Sequence, residues 1–260
     1  MVRRAPPCVL LVVLGALLGS LVTNRAHAEP DAPRCGQRLD DAQVEVRLAW
    51  LDARLGRGVG GAVAWWAGWL SYATGEGAVG WTKFAQATDR LERDLWLVTG
   101  LGAGLWVAQL SLFPLPAAYA PLRMRRLPRS TAAQRRAALA ASERLLSEAA
   151  RAERGALHWS EHVLDLAWAV GSAAYVFGHN YGRGPTERLL AATGIELGAT
   201  VLLSEASILS TPRQAIRDQE HYQGWSCDKT VPRGQSWATR AGPVWHVRLD
   251  LFGAALRVRF

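Results

Sequence analysis

Apolar residues in this chain gather in four runs separated by charged ones, and a pattern of a different period closes it. The first run, residues 58–75, holds no charge between Arg57 and Glu76 and carries Trp65, Trp66 and Trp69. The second, 95–122, has neither a charged residue nor a histidine over its 28 positions, long enough to cross a bilayer with room for tilt. Pro114, Pro116 and Pro121 predict that its regular helix ends near Phe113, because proline lacks an amide donor and clashes with the preceding turn. The third run, 163–181, includes Asp165 and His179, and the fourth, 189–212, includes Glu196 and Glu205. Between the second and third, residues 130–156 are rich in Ala, Leu, Glu and Arg. They predict a solvated helix with a thin apolar stripe, Ser130 as N-cap and Arg144/Glu148 as a pair one turn apart.

Beyond Pro212 the chain turns polar and crosses a loop at Pro232-Arg233-Gly234. Trp245, Val247, Leu249 and Leu251 then alternate with His246, Arg248 and Asp250, and Leu256, Val258 and Phe260 alternate with Arg257 and Arg259. A period of two predicts a β-hairpin. Such a strand ending on Phe also suits an outer-membrane barrel, but a barrel needs at least about eight segments and two are visible. The fold class is therefore mainly α: a membrane-associated helical bundle of about four apolar helices, one long Arg/Glu-rich helix and a C-terminal β-hairpin. The segments follow as a signal peptide at 1–28, a polar segment at 29–57, the helical membrane-associated part at 58–212, and a loop with the hairpin at 213–260.

The first 28 residues carry the export reading: Arg3 and Arg4 precede the apolar stretch 8–22, and Ala26-His27-Ala28 offers a small-residue cleavage site. An uncleaved anchor helix is the other reading, and either leaves residue 29 outside the cytoplasm. Composition then changes the picture less than it first suggests. Half of the 260 residues are hydrophobic and 20% are charged, which excludes a disordered chain. The net charge of +8 points toward nucleic acid, but Arg3, Arg4 and Arg25 leave with the signal, and the basic side chains are almost all Arg, a genomic bias rather than a binding surface. No nucleic-acid partner is expected; the expected partners are the lipid bilayer and other envelope proteins or a second copy of the chain. Cys35 and Cys227 remain after cleavage, and an even count in an exported chain reads as a disulfide.

Topology stays open at this stage. A Cys35–Cys227 bridge needs an even number of crossings between the two cysteines; four suits the apolar runs, whereas two, using the second and third runs, places the nine arginines of 123–154 inside. A periplasmic bundle lying against a membrane is the third arrangement. The expected location is the cell envelope, the inner membrane with periplasmic termini first, the outer membrane or periplasm otherwise. Small residues four apart at Gly56/Gly60, Gly100/Gly104 and Gly194/Gly198 predict close helix packing there.

One motif carries chemistry. His158-Trp159-Ser160-Glu161-His162 is H-x-x-E-H, the pattern of the inverzincin peptidases, in which two histidines one turn apart share a zinc ion and the glutamate is the base. On a helix Asp165 falls on the same stripe, and Glu205 or Glu196 can add a ligand from the next helix. The candidate metal set is thus His158, His162, Asp165 and Glu205, with Glu161 catalytic, for a zinc-dependent hydrolase. The bland reading, with no cofactor, is a polar patch at a helix end. Glu196 and Glu205, nine residues apart, stand about 180° apart around a helix, so Glu205 is predicted to face a neighbour and Glu196 to point away. A buried Glu205 needs a partner, for which His158, His162, Arg188 or a proton qualifies.

Together these features resemble signal-peptide-bearing envelope membrane proteins of high-GC Gram-negative bacteria. The likeness rests on Trp159-x-x-His162, on Glu205-x-x-Ile208-x-x-Thr211-Pro212 and on the terminal hairpin. That group has no assigned activity, so the resemblance implies an envelope protein with a structural or interaction role.

Overall fold

In the computed structural model the described residues are 39–227, 244–250 and 253–259. The expected signal peptide and Cys35 lie outside them, as does the side chain of Cys227, and with them the expected disulfide. The chain is mainly helical: α1 Asp41–Gln86, α2 Arg90–Leu112, α3 Pro116–Arg125, α4 Ala132–Ala156, α5 Trp159–Asn180, α6 Thr186–Leu209 and α7 Gln214–Cys227. Strands β1 Val244–Asp250 and β2 Gly253–Arg259 pair antiparallel, with Val244 opposite Arg259 and Asp250 opposite Gly253.

Helix boundaries follow local chemistry. Asp40 starts α1, its carboxylate accepting the Gln43 amide at 2.7 Å. Helix α2 stops at Leu112, next to the predicted Phe113, and Pro116 occupies the first turn of α3, where its missing N–H costs nothing. The cap of α4 is Thr131 and not Ser130. Thr131 Oγ1 accepts the Gln134 amide at 3.2 Å while Gln134 Oε1 accepts the Thr131 amide at 3.3 Å, a reciprocal capping box displaced by one residue.

The helical residues fall into two compact units. One takes α1 through Trp66, then α3, α4 and α7. It has an ordinary apolar core in which Leu51, Met124 and Ala149 are fully buried and Leu146 nearly so. Each large aliphatic side chain buried to this degree contributes about 2 kcal/mol. On α4 the buried positions 138, 139, 142, 145, 146, 149, 150 and 153 recur at three- and four-residue steps, the stripe its composition predicted. Three arginines of 123–154 pair with acids of α1: Arg136 with Asp41 at 2.8 Å, Arg135 with Glu45 at 3.5 Å and Arg129 with Asp52 at 3.7 Å. Glu153, 1% exposed, accepts the Ile216 amide at 3.0 Å and so anchors the first turn of α7. Burial pushes its carboxyl above the usual carboxylate value, against the lowering by the amide bonds of Ile216 and Ala215.

The other unit takes α1 from Ala67, then α2, α5 and α6, and its surface is far more apolar. Apart from Val46, Val63 and Leu122, every large apolar side chain exposed among the described residues belongs to it; Ile195 and Leu202 are each 72% exposed. It buries a small apolar cluster of Leu91, Val98, Val176 and Leu189, and many of its other buried positions are small or polar, among them Ala73, Ala103, Ala169, Asp94, Ser172, Asn180, Thr193 and Ser207. Two stretches, Arg90–Arg125 and Thr186–Gly224, are long and apolar enough to cross a membrane, and only 22% and 11% of their apolar windows are buried. The core helix of a soluble domain would bury most of such a window. These stretches contain the second and fourth runs, so of the four apolar runs two qualify by this measure among the described residues, and the two-crossing arrangement considered from sequence, which used the second and third, is not the pair that qualifies. The first run is diluted by Gly and Trp, and the third by Asp165, His179 and its other polar residues.

Helix contacts in this unit correct the small-residue reading. Gly100 does pack closely, for a Cβ on Gly80 would lie 2.9 Å from its backbone nitrogen. Gly56, Gly60, Gly104, Gly194 and Gly198 have nothing within 4 Å of such a Cβ. Helix α6 turns inward instead through Thr193, Glu196, Thr200, Ser204 and Ser207, a polar seam at steps of three and four residues, with Thr193 and Ser207 buried.

Candidate functional site

Three groups of ionisable side chains line the interior of this second unit. At one end Asp94, on the second turn of α2, is 5% exposed. Its Oδ2 accepts from His179 Nδ1 at 2.6 Å and from Asn180 Nδ2 at 2.9 Å. The Arg90 guanidinium meets His179 Nε2. Arginine can only donate, so Nε2 accepts and the imidazole carries its proton on Nδ1, toward Asp94. Tyr175 stacks on the same ring with centroids 5.4 Å apart. Asn180 spans Asp94 and the Val176 carbonyl, fixing the C-terminal turn of α5.

Halfway along, Glu76 of α1 faces Glu196 of α6 closely enough for their charges to interact, with Tyr72 bonded to Glu76 and Thr200 to Glu196. The expectation that Glu196 points away is thereby corrected. Glu205 was assigned the inward face by its register with Gly194 and Gly198, which are open; the packed face is the one through Thr193 and Thr200, and it takes in Glu196.

At the far end His162 Nδ1 lies 2.7 Å from Glu205 Oε1. Asp165 accepts from Ser204 and lies within charge range of His162, Glu205 and Glu161. His162 and Glu205 are about a third exposed, so this end opens outward.

The candidate zinc residues are thus partly brought together. Glu161, His162 and Asp165 share the first turns of α5, and Glu205 joins them from α6 as its sequence position allowed. His158 does not: it is the N-cap of α5, with extended backbone (φ −75°, ψ 144°), and its Nδ1 accepts the Ser160 amide at 3.3 Å and contacts Ser160 Oγ at 2.9 Å. A histidine that caps a helix precedes the helical register that the H-x-x-E-H spacing assumed. Among the described residues no group of three or more His, Cys, Asp and Glu is disposed to hold a metal ion.

Sequence reasoning missed the Asp94–His179 pair and the Glu76–Glu196 pair. The available signal was an acid bordering each apolar run: Glu76 closes the first and Asp94 immediately precedes the second. Compared with known protein families, curated proteins and solved structures, the chain matches none.

Proposed function

We propose that this chain is an integral protein of the cell envelope. In this reading the unit of α2, α5, α6 and the second part of α1 is immersed in lipid, and the chain serves a structural or interaction role through its helical, arginine-rich unit. The observation that carries the reading is the concentration of exposed large apolar side chains in one of the two units. In water, large apolar residues go inside and acids outside. The unit around Leu51 and Met124 keeps nearly all its large apolar residues from solvent, whereas the unit around Asp94 exposes Ile195, Leu202 and Leu209 on its surface. Lipid reverses the preference, because hydrocarbon solvates leucine and penalises an unpaired carboxylate. Trp159, 67% exposed, and Trp81, 45% exposed, stand near helix ends, where an interfacial belt places tryptophan.

The zinc-hydrolase alternative draws no support from the site, because His158 is engaged as a cap. Membrane fractions of cells making the chain should retain it through carbonate extraction. Complete release into the supernatant would overturn the reading in favour of a peripheral bundle.

A further inference from the structure

We propose that the polar seam between α5 and α6 conducts protons across the membrane, an inference that rests on the lipid-immersed reading above. Its first support is that the ionisable groups of this unit are not scattered. They occupy three levels, at Asp94/His179, Glu76/Glu196 and Asp165/His162/Glu205. Nine residues separate Glu196 from Glu205 on α6, and seventeen separate His162 from His179 on α5; at the helical rise these are about 14 Å and about 26 Å. The outer levels are therefore about as far apart as the hydrocarbon core is thick, about 30 Å, and the third lies between them.

The second support is what fills the intervals. Above Glu196 stand Thr193 on α6 and Ser172 and Tyr175 on α5; below it stand Thr200 and Ser204. Along α6 the steps from Thr193 to Glu196, Thr200 and Ser204 are three or four residues, about 5–6 Å each. Every turn of the seam thus presents a hydroxyl or carboxyl oxygen. The hydroxyls of Thr193 and Ser172 donate to their own helix, to the carbonyls of Leu189 and Ala169, so their lone pairs stay available to a bridging water.

The third support is chemical asymmetry along the path. The two ends are His–carboxylate pairs with both histidines about a third exposed, and at one end the Arg90 guanidinium also meets His179 Nε2. The midpoint has two carboxyl groups, Glu76 and Glu196, within charge range of each other. Two carboxyl groups facing one another can take up and release a proton between them. In each step one O–H or N–H bond forms as another breaks. Nothing is oxidised, and the net event is one proton leaving one side and appearing on the other.

The test is proton flux into vesicles of phosphatidylethanolamine and phosphatidylglycerol carrying the full chain and an internal pH-sensitive dye, driven by a potassium gradient with valinomycin. Flotation of the same vesicles after carbonate treatment reports insertion separately. We expect inserted wild-type protein to acidify the lumen faster than protein-free vesicles. Glu196→Gln should return the rate to that of protein-free vesicles while floating and folding as before, and Glu196→Asp should retain flux because it keeps a carboxyl at the midpoint. Failure to float overturns the membrane reading. Flotation without flux, or flux undiminished in Glu196→Gln, overturns the proton path, as does potassium passage in the absence of valinomycin.

Discussion

His162 and Glu205 are 43 residues apart in the chain, and their side chains meet at 2.7 Å across two different helices. The contact ties the first turns of α5 to the last turns of α6, with both side chains about a third exposed. Such a pair is worth little more than an interhelical hydrogen bond, so a double-mutant cycle of His162→Ala and Glu205→Ala should give a coupling of about 0.6 kcal/mol in detergent unfolding. Strict additivity of the two single effects would show that the pair is not formed.

Gly80 and Gly100 should tolerate less than the other glycines of their unit. A Cβ on Gly80 meets backbone atoms of Gly100 at 2.9 and 3.0 Å, and backbone cannot rotate away. Gly80→Ala is expected to lower stability by about 1–3 kcal/mol through forced separation of α1 and α2. Gly194→Ala and Gly198→Ala enter open space and replace a poor helix former, so each should be neutral or stabilising by up to about 1 kcal/mol. Thermal unfolding in one detergent compares all three; equal losses would mean that the Gly80–Gly100 contact is not special.

Glu153 sets a pH dependence in the other unit. Burial raises its folded carboxyl above the ordinary value of 4.5, so folding favours the protonated form. The linked stability is fully present below the unfolded value and is lost as pH rises through the folded one. Glu153→Gln keeps an acceptor for the Ile216 amide and cannot ionise. Its stability relative to wild type should therefore improve as pH rises above the ordinary carboxyl value. Glu153→Ala leaves that amide without its acceptor and should cost about 1–3 kcal/mol throughout. A Gln variant whose deficit or advantage is constant with pH, measured by chemical denaturation at each pH, would show that Glu153 does not titrate in this way.

Helices were legible in the sequence wherever a strong local signal existed. The prolines after residue 112, the three- and four-residue stripe of 138–153 and the apolar runs each depend on neighbours within a turn or two, and the structure forms helices there. The cap moved from Ser130 to Thr131 because both hydroxyls can start a helix, and the reciprocal bond with Gln134 decides between them. The partner of Glu205 was narrowed to a few groups by the chemistry of a buried acid, and His162 proved to be the one.

Which face of α6 packs, and therefore which acids meet, was settled by tertiary structure alone. Two stripes on that helix were each plausible, one through Gly194 and Gly198 and one through Thr193 and Thr200. A sequence shows what each stripe contains, not what lies opposite. Ser172 and Ala169 on α5, buried there, belong to the inward face that takes the hydroxyl stripe. Glu196 thereby comes to face Glu76, Asp94 is joined to His179 and Asn180, and His158, a ligand by spacing, becomes a cap because the helix begins one residue after it. Periodicity is a property of one helix, whereas a site of this kind is a property of the distances between several.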